Sequence, residues 1–200
     1  MKTTFPRRKR IRGFTLIELL VVIAIIALLA TMGVAGGQIV IKRARELQAK
    51  TAMKGLEIAI KGYKTEYLRL PSAESSAVTE DNAGGYDTGD STGMGLIDVL
   101  MATDTTKNPR QIHFYDPPPA KNGAAGYSET TGLRDPWGQG YKVIMDYGND
   151  GRVDNPYAGA VSGESDELIT DVIIYCAGSN KMFEEGGSSG GKLDDLRSWQ

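Results

Sequence analysis

The sequence predicts an α+β protein. One long N-terminal α-helix, transmembrane then amphipathic, carries a small C-terminal antiparallel β-sheet head. Three observations predict this. An apolar block fills Phe14 to Met32 and holds a single charge, Glu18. Apolar residues then recur at helical spacing from Val40 to Tyr67. Beyond Asp135 come short strand-like runs bounded by turn residues. The 200 residues divide accordingly into a basic leader (1–13), a long helix (14–69, transmembrane at 14–32), a loop-rich insertion with a short helix (70–134) and a sheet head (135–200).

Charge follows the same division. The formal net charge of -2 hides an asymmetry. Lys2, Arg7, Arg8, Lys9, Arg10 and Arg12 precede the apolar block with no acid among them. From Leu70 onward there are 9 basic residues against 21 acidic ones. A basic tip beside an apolar span marks the cytoplasmic flank. Nucleic-acid binding is not predicted, because the tip abuts a hydrophobic segment and the head is acidic.

The block from Phe14 to Met32 is 19 residues long. At about 1.5 Å per residue it nearly matches the hydrocarbon core of a bilayer. An ordinary secretory signal has a shorter apolar region, about 7–15 residues, and no acid near its start. Glu18 is therefore the informative residue. A carboxylate in such a segment is costly and calls for a partner, and the sequence offers none within the segment. Cleavage after Gly13 would create one: a new α-amine on Phe14, at the same depth as Glu18 of a neighbouring chain.

The run Gly13-Phe14-Thr15-Leu16-Ile17-Glu18, behind its short basic leader, resembles the type IV prepilin cleavage and methylation signature. The resemblance implies a peptidase cut after Gly13, N-methylation of Phe14 and a role for Glu18 in assembly. It also implies the partners: prepilin peptidase, membrane lipid, an inner-membrane assembly platform and further copies of the chain in a homo-oligomeric filament.

The amphipathic half of the helix is read from Val40, Ala44, Leu47, Leu56, Ile60, Tyr63 and Tyr67, with Thr51-Ala52 bridging the gap. Pro71 sets its end. A helix from about Thr15 to Tyr67 is roughly 80 Å long. Residues 72–95 read as a surface loop, Gly95 to Leu100 as a short helix, and Asp116 to Gly126 as extended chain. Strands are expected at Gly140 to Tyr147 and Leu168 to Cys176, with Gly148-Asn149-Asp150-Gly151 as a hairpin turn.

Asp135-Pro136-Trp137-Gly138 is similar to the segment that opens the sheet in major pseudopilins of type II secretion systems, although Gln139-Gly140 stands where Asn-Pro is usual. Tyr63 to Pro71 resembles that family's helix end, with Leu70 in place of a Tyr. The C-terminal residues Ala177 to Asn180, the glycines from Gly186 to Gly191, and Asp194 to Trp199 resemble its calcium loop. The implied ligands are Asn180, Asp194, Asp195 and Ser198, with Asn180 where an Asp is general. Calcium favours several oxygens from a flexible loop. A disordered acidic tail is the other reading of these residues. Asp146, Asp150, Gly151 and Asp154 partly mimic an EF-hand loop, but Gly148 and Tyr157 occupy two ligand positions, so a tight turn accounts for them better.

Enzymatic function is not expected. There is no Gly-x-Ser-x-Gly elbow, no phosphate loop, one histidine (His113) and one cysteine (Cys176). Cys176 lies in an apolar run and reads as a small core residue. A lone cysteine excludes an intrachain disulfide, and classical type IV pilins usually carry one. The expected function is therefore a pseudopilin of a type II secretion system, single-pass in the inner membrane with leader cytoplasmic and head periplasmic, then part of a periplasmic filament. A type IV pilin of a surface fibre is the alternative. A membrane-anchored periplasmic binding module is the alternative of another class. The membrane-derived protein should begin at a methylated Phe14 in intact-mass analysis. A chain retaining Met1, or cut near Ala35, would refute the processing assignment.

Overall fold

The structure, a computed structural model, describes residues 14–74, 78, 81, 85–121, 125–160, 163–187 and 193–199, without the side chains of 31–36. The leader, including Gly13, lies outside the described residues. The chain divides into two units, 1–43 and 44–200, and helix α1 (Leu16–Tyr67) contributes to both.

Within 1–43, α1 begins at a capping box. Thr15 Oγ1 accepts a hydrogen bond from the Glu18 amide at 3.3 Å. Glu18 Oε2 accepts in return from the Thr15 amide and hydroxyl, each at 2.8 Å. Two otherwise orphaned amides are thereby satisfied. Glu18 thus has a partner in its own segment, contrary to the expectation from sequence. The apolar side chains that follow are exposed in the single chain, from Leu16 at 83% to Leu29 at 62%. Among the described residues no helix is long and apolar enough to cross a membrane. The apolar stretch with described side chains ends at Ala30, and its 15 residues rise only about 22 Å. The rest of the expected span falls on residues whose side chains lie outside the described ones.

Within 44–200, α1 buries Ala49, Met53, Leu56, Ile60 and Tyr63. Leu47, expected on this face, is 67% exposed. The reason is angular: at about 100° per residue, nine residues place Leu47 opposite Leu56, whereas three and seven residues bring Met53 and Ala49 round to it. α1 stops as expected. Leu68 takes a left-handed conformation (φ 54°) just before Pro71.

β1 (Tyr86–Asp87) and α2 (Ser91–Leu100) come next. Both extend into the stretch expected to be loop. Asp90 caps α2 by accepting from the Gly93 amide. Gly93 sits so close to β1 that a Cβ would lie 1.9 Å from the Asp87 carbonyl oxygen. α2 buries Leu96, Ile97, Val99 and Leu100. A hairpin not expected from sequence follows, β2 (Gly126–Ser128) with β3 (Gly132–Arg134), turning through Gly132 at φ 70°.

The main sheet also uses β4 (Lys142–Met145), β7 (Val172–Cys176) and β8 (Leu196–Arg197). Its order is β1-β4-β7-β8, antiparallel throughout, with Val143 opposite Ile174. Val143, Met145, Val172, Ile174 and Cys176 pack with the α1 and α2 residues. Ile144, Ile173 and Tyr175 pack on the other face with Val153 and Tyr157. β7 is buried on both faces, so its sequence is continuously apolar rather than alternating.

Thr88 ties three elements together. Fully buried, it donates from Oγ1 to the Leu133 carbonyl at 2.7 Å and accepts from the Tyr141 amide at 2.8 Å. A buried amide without such an acceptor costs about 1–3 kcal/mol.

Residues 148–151 form a turn, but not a hairpin within the main sheet. Asn149 and Gly151 have positive φ, and Asp146 accepts from the Asp150 and Gly151 amides. β4 pairs with β1 and β7, while β5 (Val153–Asp154) pairs with β6 (Glu167–Leu168). The turn therefore leads out of the sheet into a separate two-stranded ribbon.

Candidate functional site

The described residues carry two candidate sites and one buried carboxylate of interest. The first site is the start of α1. Phe14 is 76% exposed, and Glu18 makes its capping bonds through Oε2. Its companion Gly13 lies outside the described residues.

The second site is built by the C-terminal segment closing onto β7. A 3-10 turn at Gly178–Asn180 leaves the strand, and β8 returns along it. Gly178 is needed there: at φ 63°, a Cβ would lie 2.2 Å from the Asp194 carbonyl oxygen. Asp194 Oδ2 accepts from the Ser179 amide at 2.9 Å, the Asn180 amide at 3.1 Å and the Ser179 hydroxyl. Asn180 Nδ2 donates to Glu184 Oε1 at 2.6 Å, and the Asp194 amide donates to Glu184 Oε2 at 3.1 Å. Asp195 Oδ2 accepts from the Glu184 amide at 2.9 Å and from the Tyr157 hydroxyl.

The result is a group of three carboxylates, Glu184, Asp194 and Asp195, whose ligating oxygens lie within 4.8 Å of one another. Glu184 is 2% exposed and Asp195 5%. Asp194 Oδ1 and Asp195 Oδ1 are buried with no hydrogen-bond partner among the described residues. Burial pushes the Asp195 carboxyl above the usual aspartate range, and the neighbouring acids Glu184 and Asp194 push the same way; the Tyr157 hydroxyl and the Glu184 amide oppose them. Three acids and two unpartnered oxygens make a donor set suited to a hard divalent cation.

Of the residues expected from sequence, Asn180, Asp194 and Asp195 come together here. Ser198 does not share the arrangement. Its hydroxyl accepts from the Ile174 amide at 3.0 Å and its own amide donates to the Ile174 carbonyl at 2.9 Å, so it extends the sheet edge. Glu184 was missed, and its sequence signal is slight: an acid four residues past Asn180 in a turn. Residues 188–191 of the expected glycine linker lie outside the described residues. A second acidic group, Asp81, Asp146 and Asp150, shares similar proximity. Unlike the first group, it holds no oxygen that is both buried and unpartnered among the described residues, and Asp154 is exposed in β5.

Asp135 is fully buried. Its Oδ1 accepts from the Trp137 and Gln139 amides, both at 2.9 Å, and Oδ2 has no partner among the described residues. Burial pushes its carboxyl up, against those backbone bonds and Lys181. Burial likewise pushes the Cys176 thiol up to about 12, which makes it a poor nucleophile. His113 is exposed.

Comparison with known proteins bears on the first site. Residues 8–34 match the family described as the prokaryotic N-terminal methylation motif. That match spans the last six residues of the leader and the whole apolar block from Phe14 to Met32. No curated protein and no solved structure matches the chain. The prepilin-type motif supports a type IV prepilin-like protein.

Asp135 gives a pH signature. Its folded pKa lies above the unfolded value of about 3.9, so the folded state holds the proton more tightly. The resulting stabilisation is complete below the unfolded pKa and is lost as pH rises through the folded one. Stability of the parent relative to Asp135→Asn should therefore grow as pH falls from neutral toward about 4. Urea unfolding in chelator, followed by tryptophan fluorescence, checks this; parallel curves would exclude it.

Proposed function

We propose that the chain is a structural subunit of a type IV pilin-like filament, and more narrowly a pseudopilin of a type II secretion system. The observation that carries the filament reading is the methylation motif at 8–34, joined to an apolar helical segment whose described side chains, from Leu16 to Leu29, are exposed. Prepilin peptidase would cut after Gly13. Phe14 to Met32 would hold the precursor in the inner membrane as a single pass, leader cytoplasmic and head periplasmic. An assembly platform would then move it into a periplasmic filament in which neighbouring helices replace lipid.

Glu18 keeps two roles in this reading. Oε2 caps α1, and Oε1 is assigned to the Phe14 amine of the neighbouring copy. The motif favours a structural subunit over an enzyme. The narrower secretion reading draws support from the head. Its single cysteine is buried and unpaired, and at the C-terminal segment three carboxylates gather. We assign calcium to Glu184, Asp194 and Asp195, with Asn180 orienting Glu184. A surface pilin remains the second reading, favoured by the same N-terminal motif.

Two outcomes test these assignments. Glu18→Ala should leave cleavage and membrane insertion intact while filament yield falls at least tenfold, since the Phe14 amine of the neighbouring copy is left without its partner. Normal yield, measured on sheared or cross-linked filaments, would refute the pairing. Calcium should stabilise the head by about 2.7 kcal/mol at a hundredfold excess over its Kd. Asp195→Asn should abolish that difference between calcium and chelator in thermal melts. Equal melting of the parent under both conditions would remove calcium and weaken the secretion reading.

A further inference from the structure

We infer that the β5–β6 ribbon forms one wall of the carboxylate site, so that divalent-cation binding and docking of the ribbon are a single coupled event. This rests on the cation assignment above and extends it to residues far away in sequence.

Three contacts carry it. Tyr157, just past β5, is fully buried and donates its hydroxyl to Asp195 Oδ2. That oxygen also accepts from the Glu184 amide, so both donors fall on one side of the carboxylate and Oδ1 is left without any. Tyr157 is therefore a positioning residue: it fixes which oxygen of Asp195 remains for a cation. Second, the Gly186 amide donates to the Pro156 carbonyl at 2.8 Å, joining the loop that carries Glu184 to the chain just past β5. Third, Arg197, on the strand two residues beyond Asp195, pairs with Glu164 before β6 at 2.5 Å. Its guanidinium also lies 5.1 Å from the centre of the Tyr157 ring. Asn155 holds the other Glu164 oxygen at 3.1 Å, which closes the ribbon's two ends on each other.

The coupling follows from charge. Without a cation, Glu184, Asp194 and Asp195 repel one another across less than 4.8 Å. Moving Asp195 outward would withdraw the acceptor of Tyr157 and shift the strand that carries Arg197. A divalent cation removes the repulsion and holds Asp195 where Tyr157 meets it. By linkage, a docked ribbon must raise cation affinity by the factor with which the cation favours docking.

The test is amide hydrogen exchange on the full chain in detergent micelles, with calcium and with chelator, for the parent, Tyr157→Phe and Glu164→Gln. In the parent, calcium should slow exchange both in 178–187 and in the ribbon, 153–157 and 164–168. In Tyr157→Phe the ring packing stays while the hydroxyl is lost. Calcium affinity should fall about tenfold. At saturating calcium the loop should still be protected and the ribbon no longer so. Glu164→Gln, which keeps an oxygen acceptor for Arg197 but removes the charge, should uncouple the ribbon in the same direction. Protection of the parent's loop without its ribbon would overturn the coupling and leave the cation assignment standing. Protection of neither would overturn both. Parent-like affinity in both variants would also overturn the coupling.

Discussion

The head is organised around a strand that must not meet water. Each of the five residues of β7 is buried, so the protein has to supply a cover for two faces rather than one. α1 and α2 cover one face with aliphatic side chains and Tyr63. The second cover is assembled from less regular pieces: the residues after β5, the Phe183 turn and the C-terminal Trp199. Antiparallel pairing with β4 and β8 satisfies the strand's backbone on both sides.

The two covers differ in kind. The α1 and α2 side is a continuous aliphatic core, stable by area removed from water. The other is aromatic and polar: Tyr157, Tyr175 and Trp199 meet at ring-centre distances of 5.4 to 6.2 Å, with Arg197 stacked among them. A cover of this composition needs its hydroxyls and charges matched one by one. That is why the carboxylate group sits here and not beneath α1. The head's chemistry and its second core are the same residues.

Legibility in the sequence followed the range of the interaction. The long helix, its end before Pro71, β4, β7 and the N-terminal motif are written in contiguous residues, and they were read. Leu47 falls off the buried face because the eight residues between it and Leu56 are bridged through Thr51-Ala52, which do not carry the phase. Ala49 and Met53 held the true phase within that gap. The Thr15-x-x-Glu18 box is also written in contiguous residues, but Glu18 stands out first as a charge in an apolar run. The β2–β3 hairpin and the ribbon have strands of two or three residues, too short to show a period. Glu184 and Tyr157 could not be placed with Asp195 from sequence. The Tyr157 contact joins residues 38 positions apart, and only the closure of the C-terminal segment on β7 brings them together.

The capping box also sets a boundary. Phe14 and Thr15 are outside the helix, and the capping-box hydrogen bonds at α1's start all involve Thr15. Hydrolases bind their substrates as extended chain, because a helical peptide hides its carbonyls in its own ladder. In the processing proposed above, a helix free to grow backward from a long apolar segment would swallow the Gly13–Phe14 bond. Thr15 prevents that, since its side chain caps only while its backbone stays non-helical. The four-residue spelling that seats the helix thus doubles as a spacer, keeping one turn of order from reaching the peptide bond before it.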